Sequence, residues 1–78
     1  MAIPKHVVMA DVDDADSSNV RQIGYDHQAQ NIWIRFHQGR IYCAYGPSFT
    51  EFRAFLHAKS AGKHYHAVIK KNFTVKEA

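Results

Sequence analysis

Apolar and polar residues alternate with a period of two through Ile32-Trp33-Ile34-Arg35-Phe36-His37, and Arg40-Ile41-Tyr42-Cys43-Ala44-Tyr45 reads as the returning strand. That spacing places successive side chains on opposite faces of a strand. Gln38-Gly39 lies between the two runs and fits a two-residue hairpin turn, with Gly39 free to take a positive φ. Counting outward from that turn sets Phe36 opposite Ile41, Ile34 opposite Cys43 and Ile32 opposite Tyr45 on an inward face. Trp33, Arg35, His37, Arg40, Tyr42 and Ala44 are then expected together on the other face. Upstream, residues 20–25 read as another strand, with Ile23 and Tyr25 on one side, followed by a polar loop over residues 26–31.

The period then changes. Gly46-Pro47 ends the last strand, and Ser48-Phe49-Thr50-Glu51 has the S-x-x-E spacing of a capping box, which predicts a helix beginning there. Phe49, Phe52, Phe55 and Leu56 recur three and four residues apart, one apolar stripe able to cover the inward sheet face. After a Gly-containing turn over residues 59–63, residues 64–71 predict a second helix with Tyr65, Val68 and Ile69 inward. The expected architecture is α+β: a small antiparallel three-stranded sheet in the order β-β-β-α-α, with both helices on one face. Residues 1–16 are expected to be a flexible acidic leader holding an optional edge strand at 6–9. Residues 17–73 are the domain, with Phe73 and Val75 tucking back toward it, and 74–78 a frayed tail.

Charge divides the chain. In residues 1–19, Lys5 stands against Asp11, Asp13, Asp14 and Asp16, a balance of −3, whereas from Val20 onward nine Lys and Arg oppose three acids, a balance of +6. A folded body that basic attracts polyanions. The 78 residues make one domain with a thin core. With Cys43 the single cysteine, no internal disulfide forms, so the cytoplasm is the expected compartment. No apolar run reaches the length needed to span a bilayer.

Taken in order, Ser17-Ser18-Asn19-Val20, Ile23-Gly24-Tyr25-Asp26, Phe36-x-x-Gly39-x-Ile41-Tyr42 and Ala58-x-Ser60-x-Gly62-Lys63-x-Tyr65 with Ile69 beyond resemble the KTSC domain. This short module is found at the C-terminus of some lysyl-tRNA synthetases and as free-standing bacterial proteins. Of that family's central Tyr-x-Tyr, Tyr42 matches the first tyrosine and Ala44 stands at the second. The resemblance implies a small module, with RNA binding suggested by the company it keeps on tRNA synthetases.

The expected outward face sets Trp33 and Tyr42 among Arg35 and Arg40, a mixture of π-surfaces and cations suited to stacking bases and neutralising phosphates. Lys59 and Lys63 flank the start of the second helix, and Lys70 and Lys71 its end. These eight residues form the candidate site for RNA. The alternative is a protein-binding adaptor or inhibitor, of the kind carried by a phage or other mobile element, that engages a host protein, or a second copy as a homodimer, through the same face. A third use of the face is intramolecular: the leader covers Trp33. Neither a metal set nor a catalytic constellation is legible. His64-x-His66 points its rings to different sides of a helix, and no Ser/His/Asp spacing marks a nucleophile, so neither cofactor nor enzymatic activity is expected.

Overall fold

The computed structural model describes residues 3–12 and 19–78. Five antiparallel strands form one sheet in sequential order: β1 (Met9–Asp11), β2 (Val20–Asp26), β3 (Asn31–Phe36), β4 (Ile41–Tyr45) and β5 (Thr74–Glu77). Helix α1 (Phe49–Leu56) follows β4, and α2 spans 61–72. The α+β class and the two helices are as expected, but the sheet has five strands rather than three. The additions are the two edges: the optional edge strand expected at 6–9 forms instead over Met9–Asp11, and residues 1–2 and 13–16 of the expected acidic leader lie outside the described residues. β1 pairs Met9 with Gly24, and β5 pairs Val75 with Ala44, so the segment expected to fray is an ordered strand. Short edge segments such as these carry little hydrophobic signal of their own and form because a neighbour offers unpaired backbone groups. Among the described residues, no helix is long and apolar enough to cross a membrane.

The β3–β4 hairpin overturns the expected register. Its loop is His37-Gln38-Gly39: the Gly39 amide donates to the Phe36 carbonyl at 2.9 Å, the Phe36 amide to the Arg40 carbonyl at 2.9 Å, and Gly39 sits at φ 91°. This is the three-residue turn closed by a left-handed glycine, not the two-residue turn. One more loop residue slides β4 by one place, so Trp33 faces Cys43, Ile34 faces Tyr42 and Ile32 faces Ala44. Because the side-chain period is two, every residue of β4 changes face. Tyr42 and Ala44 point toward the helices, and Ile41, Cys43 and Tyr45 point away.

The helix-covered face holds the main core. Ile23, Ile32, Ile34, Ala44, Phe55, Ala61 and Ile69 are sealed from solvent, with Tyr25, Phe36, Phe52 and Tyr65 around them and Leu56, Val68, Phe73 and Val75 partly buried at the edge. The capping box is present in full: the Glu51 amide donates to Ser48 Oγ at 3.2 Å and the Ser48 amide to Glu51 Oε1 at 2.8 Å. Phe49, expected in the stripe, is instead 44% exposed, its ring resting 4.9 Å from that of His27. Helix α2 widens in its middle into a π turn over Tyr65–Ile69, where the Lys70 amide reaches the Tyr65 carbonyl. The wide turn puts Tyr65 and Ile69 on the same inward side.

The opposite face carries a second, smaller core of Val7, Trp33 and Cys43, bordered by Ile3, Met9 and Ile41. The N-terminal segment, residues 3–8, lies over it as a strap. Gly24 makes the close approach possible: a Cβ there would stand 2.6 Å from Met9 Sδ, 2.7 Å from the Val8 carbonyl oxygen and 2.8 Å from Val7 Cγ1. His6 Nε2 meets Asp26 Oδ1 at 3.0 Å, and the same buried carboxylate accepts the Gln28 and Ala29 amides that shape the β2–β3 turn. Those bonds, that of His6 foremost, hold the Asp26 carboxyl below its ordinary value against the opposing effect of burial.

Candidate nucleic-acid interface

The eight candidate residues do not share a face. Trp33 is only 6% exposed, shut in by the strap, so the intramolecular cover is what the sheet face has and the open basic-aromatic sheet face is not there. Its indole Nε1 finds no hydrogen-bond partner among the described residues. Arg35 lies half-buried on that same face and is engaged in a polar row across three strands: its Nη1 donates to Gln22 Oε1 at 2.9 Å and Gln22 Nε2 donates to Asp11 Oδ1 at 2.8 Å.

Tyr42 goes to the other side, and with it goes the aromatic character of the site. A cleft of about 470 Å³ opens between β4 and α2, with Arg40, Tyr42, Tyr65, His66 and Lys70 around it and the Phe36 ring at its base. Each member is placed by an identifiable local cause. Arg40 follows Gly39 out of the tight hairpin, Tyr42 is turned inward by the register, and Tyr65 is presented by the π turn. Its neighbour His66 faces out, and Lys70 opens the turn after. The Phe36 ring meets Tyr42 edge-on at 5.2 Å and Tyr65 edge-on at 5.4 Å, so the rings form an angled pocket floor. The Tyr42 side chain, and then the Glu77 charge, raise the Arg40 guanidinium pKa above its ordinary value. Burial, and then Tyr42, push the Tyr65 phenol up as well, so it stays a neutral hydrogen-bonding group.

Lys59 and Lys63 border a second hollow of about 440 Å³, floored by Ala58, Ala67 and Val68 on the other flank of α2. Ser60 Oγ accepts the Lys63 amide at 3.3 Å, so this turn spends one of its free donors on its own cap. Lys71 is exposed and borders neither hollow. Of the sequence candidates, the fold therefore brings together Arg40, Tyr42 and Lys70, and separately Lys59 and Lys63, and it withdraws Trp33 and Arg35. The residues missed were Tyr65, His66 and Phe36. The signal for Tyr65 and His66 was present, since an inward Tyr65 brings its neighbour His66 and the following turn's Lys70 to the rim. Finding it required the correct hairpin count.

Comparison with known proteins agrees with this architecture. The family profile described as KTSC domain matches residues 16–73. Nine chains of solved structures match. One is the crystal structure of a KTSC domain protein from Yersinia pestis, similar at a TM-score of 0.78 and 26% identity over 92% of this chain and 97% of that one. No curated protein sequence matches.

Proposed function

The chain belongs to the KTSC domain family, and from the cleft its fold builds between β4 and α2 we propose that it is a non-catalytic binding module for single-stranded RNA. The observation that carries this reading is the convergence of Arg40, Lys70 and His66 over the tyrosines and Phe36 in one open hollow. Cations at the rim take phosphates, and ring edges and faces below take a base. The hollow's size suits about one nucleotide, and a single strand can offer it an unstacked base where a duplex cannot. The protein-binding alternative, and the homodimer through the sheet, relied on an exposed indole and have no such anchor.

The test is fluorescence anisotropy of a labelled oligouridylate against the full chain at several salt concentrations. Two phosphate contacts from Arg40 and Lys70 contribute about 1.4 to the log–log salt slope at roughly 0.7 per single-strand contact. The Arg40→Ala/Lys70→Ala double variant loses that part of the slope along with most of the affinity. Tyr42→Ala weakens binding by roughly 1–3 kcal/mol, the loss of one stacked base. Unchanged affinity and slope in the double variant would place any RNA binding elsewhere on the molecule.

A further inference from the structure

The cleft and the second hollow lie on the two flanks of one helix, and what separates them is the outward ridge of α2. Tyr65 and Ile69 face the core, leaving Lys63, His66, Ala67 and Lys70 exposed along the outside. Lys63 and Ala67 belong to one hollow, His66 and Lys70 to the other. Along the chain from Phe52 to Lys76 there are six Lys and Arg, three His and no Asp or Glu, and the next acid, Glu77, stands beside Tyr42 in the sheet register and acts on Arg40 at the far rim of the cleft. A cluster built only to solubilise the surface mixes both signs. A run of one sign, laid along a single helix between two open hollows, is the electrostatic footprint of a polyanion that crosses it.

We infer that the strand held in the cleft continues over the α2 ridge into the Lys59/Lys63 hollow, so that the domain binds a stretch of single-stranded RNA and not merely a strand end. This rests on the cleft reading above. Lys63 and Lys70 are seven residues apart, about 10 Å of helix at 1.5 Å per residue, or roughly three steps of a stacked strand at about 3.4 Å each. The footprint is therefore about four nucleotides. The apolar floor of Ala58, Ala67 and Val68 receives the sugar or base at the far end, and the two ammonium groups flank its phosphate.

The two readings separate by ligand length. Oligouridylates of two and eight residues are titrated by NMR into the wild type, into Lys59→Ala/Lys63→Ala and into Arg40→Ala/Lys70→Ala. The inference expects the octamer to bind at least tenfold more tightly than the dimer. In Lys59→Ala/Lys63→Ala that gain disappears, the dimer's affinity stays as it was, and the octamer's salt slope falls by about 1.4 for two lost contacts. An octamer no tighter than the dimer, or a Lys59→Ala/Lys63→Ala protein that loses both ligands equally, overturns the continuous track and leaves the cleft reading standing. A dimer indifferent to Arg40→Ala/Lys70→Ala overturns the cleft itself, and the track with it.

Discussion

The two faces of this sheet are both buried, yet by different means. On one, two helices bring rings and aliphatic side chains down onto Ile32, Ile34 and Ala44, and the core is wide and many-membered. On the other, a six-residue strap with a turn at Lys5-His6 covers Trp33 and Cys43, held by one glycine that lets it approach and one His–carboxylate pair that ties it. Burial distributed over many side chains survives small losses, while burial hung on two local devices fails at either of them. The difference also separates the two: the helix side carries an open cleft at its rim, and on the strap side Trp33 and Cys43 are covered.

Breaking the helix-covered face has the largest effect. Phe55 is fully buried, so Phe55→Ala removes a central ring and leaves a cavity worth about 3–5 kcal/mol. A domain this small then loses roughly 15 °C or more in Tm. Should the variant fail to fold, Phe55→Leu gives the milder form of the same loss. A Tm within a few degrees of wild type for Phe55→Ala would mean that the helices are not what holds this face.

Gly24→Ala attacks the strap alone. Its methyl group would meet the Val8 carbonyl, which is backbone and cannot swing aside. The segment must lift and uncover Val7, at about 2 kcal/mol for that side chain's burial. Trp33 is the single tryptophan and Cys43 the single cysteine, and both lie beneath the strap, so two clean signals report the event. Indole emission shifts to the red, and the Cys43 thiol, whose pKa burial now raises, becomes open to a thiol reagent under native conditions. On the proposed cleft reading, any RNA affinity there stays unchanged. Emission and labelling rates identical to wild type would show that the strap does not depend on this glycine.

How far the sequence disclosed this arrangement follows the same division. Strand β3 and both helices were legible because their periods are strong and their apolar faces wide. Ser48 and Glu51 located the start of α1, since the two side chains answer each other's backbone. The site was misread for a reason one residue long. His37-Gln38-Gly39 fits a three-residue loop as readily as Gln38-Gly39 fits a two-residue one, and β4 offers no pattern to arbitrate, with apolar side chains at Ile41, Tyr42, Cys43, Ala44 and Tyr45 alike. Strands β1 and β5 were weak because edge strands are selected by the unpaired backbone beside them, a tertiary property. Beside the expectation that the leader could cover Trp33, Gly24 carried a hint of the strap, since a glycine inside a strand marks a close backbone approach.

The clasp of the strap gives a smaller, pH-dependent effect. Asp26 has its folded-state pKa lowered below the unfolded value of 3.8, so its contribution to stability is present above that value and is lost as pH falls through the lower folded one. His6→Ala removes the foremost cause of the depression. It is expected to cost about 1.5–3 kcal/mol at neutral pH, the range for a hydrogen bond to a charged group, and less at pH 2, where more of the carboxylate is protonated. An equal deficit at both pH values, read from urea midpoints, would assign the loss to packing of His6 and not to its bond.

The weakest point of the helix-covered face is His64, and it titrates in the opposite sense to a clasp. Its ring stacks on Phe55 at 5.3 Å and 15°, its Nε2 is buried with no partner among the described residues, and desolvation lowers its pKa below 6.5. The unfolded chain therefore takes up a proton first. Stability is intact above about pH 6.5 and declines as pH falls from there toward the depressed folded value, at no more than about 1.4 kcal/mol per pH unit for one proton. His64→Phe keeps an aromatic ring against Phe55 and removes the titrating group, so the difference in unfolding free energy between variant and wild type should grow between pH 7 and pH 5. A difference that stays constant over that interval would mean that the imidazole is solvated in the folded protein, and the closed packing of α2 onto α1 would then have to be redrawn.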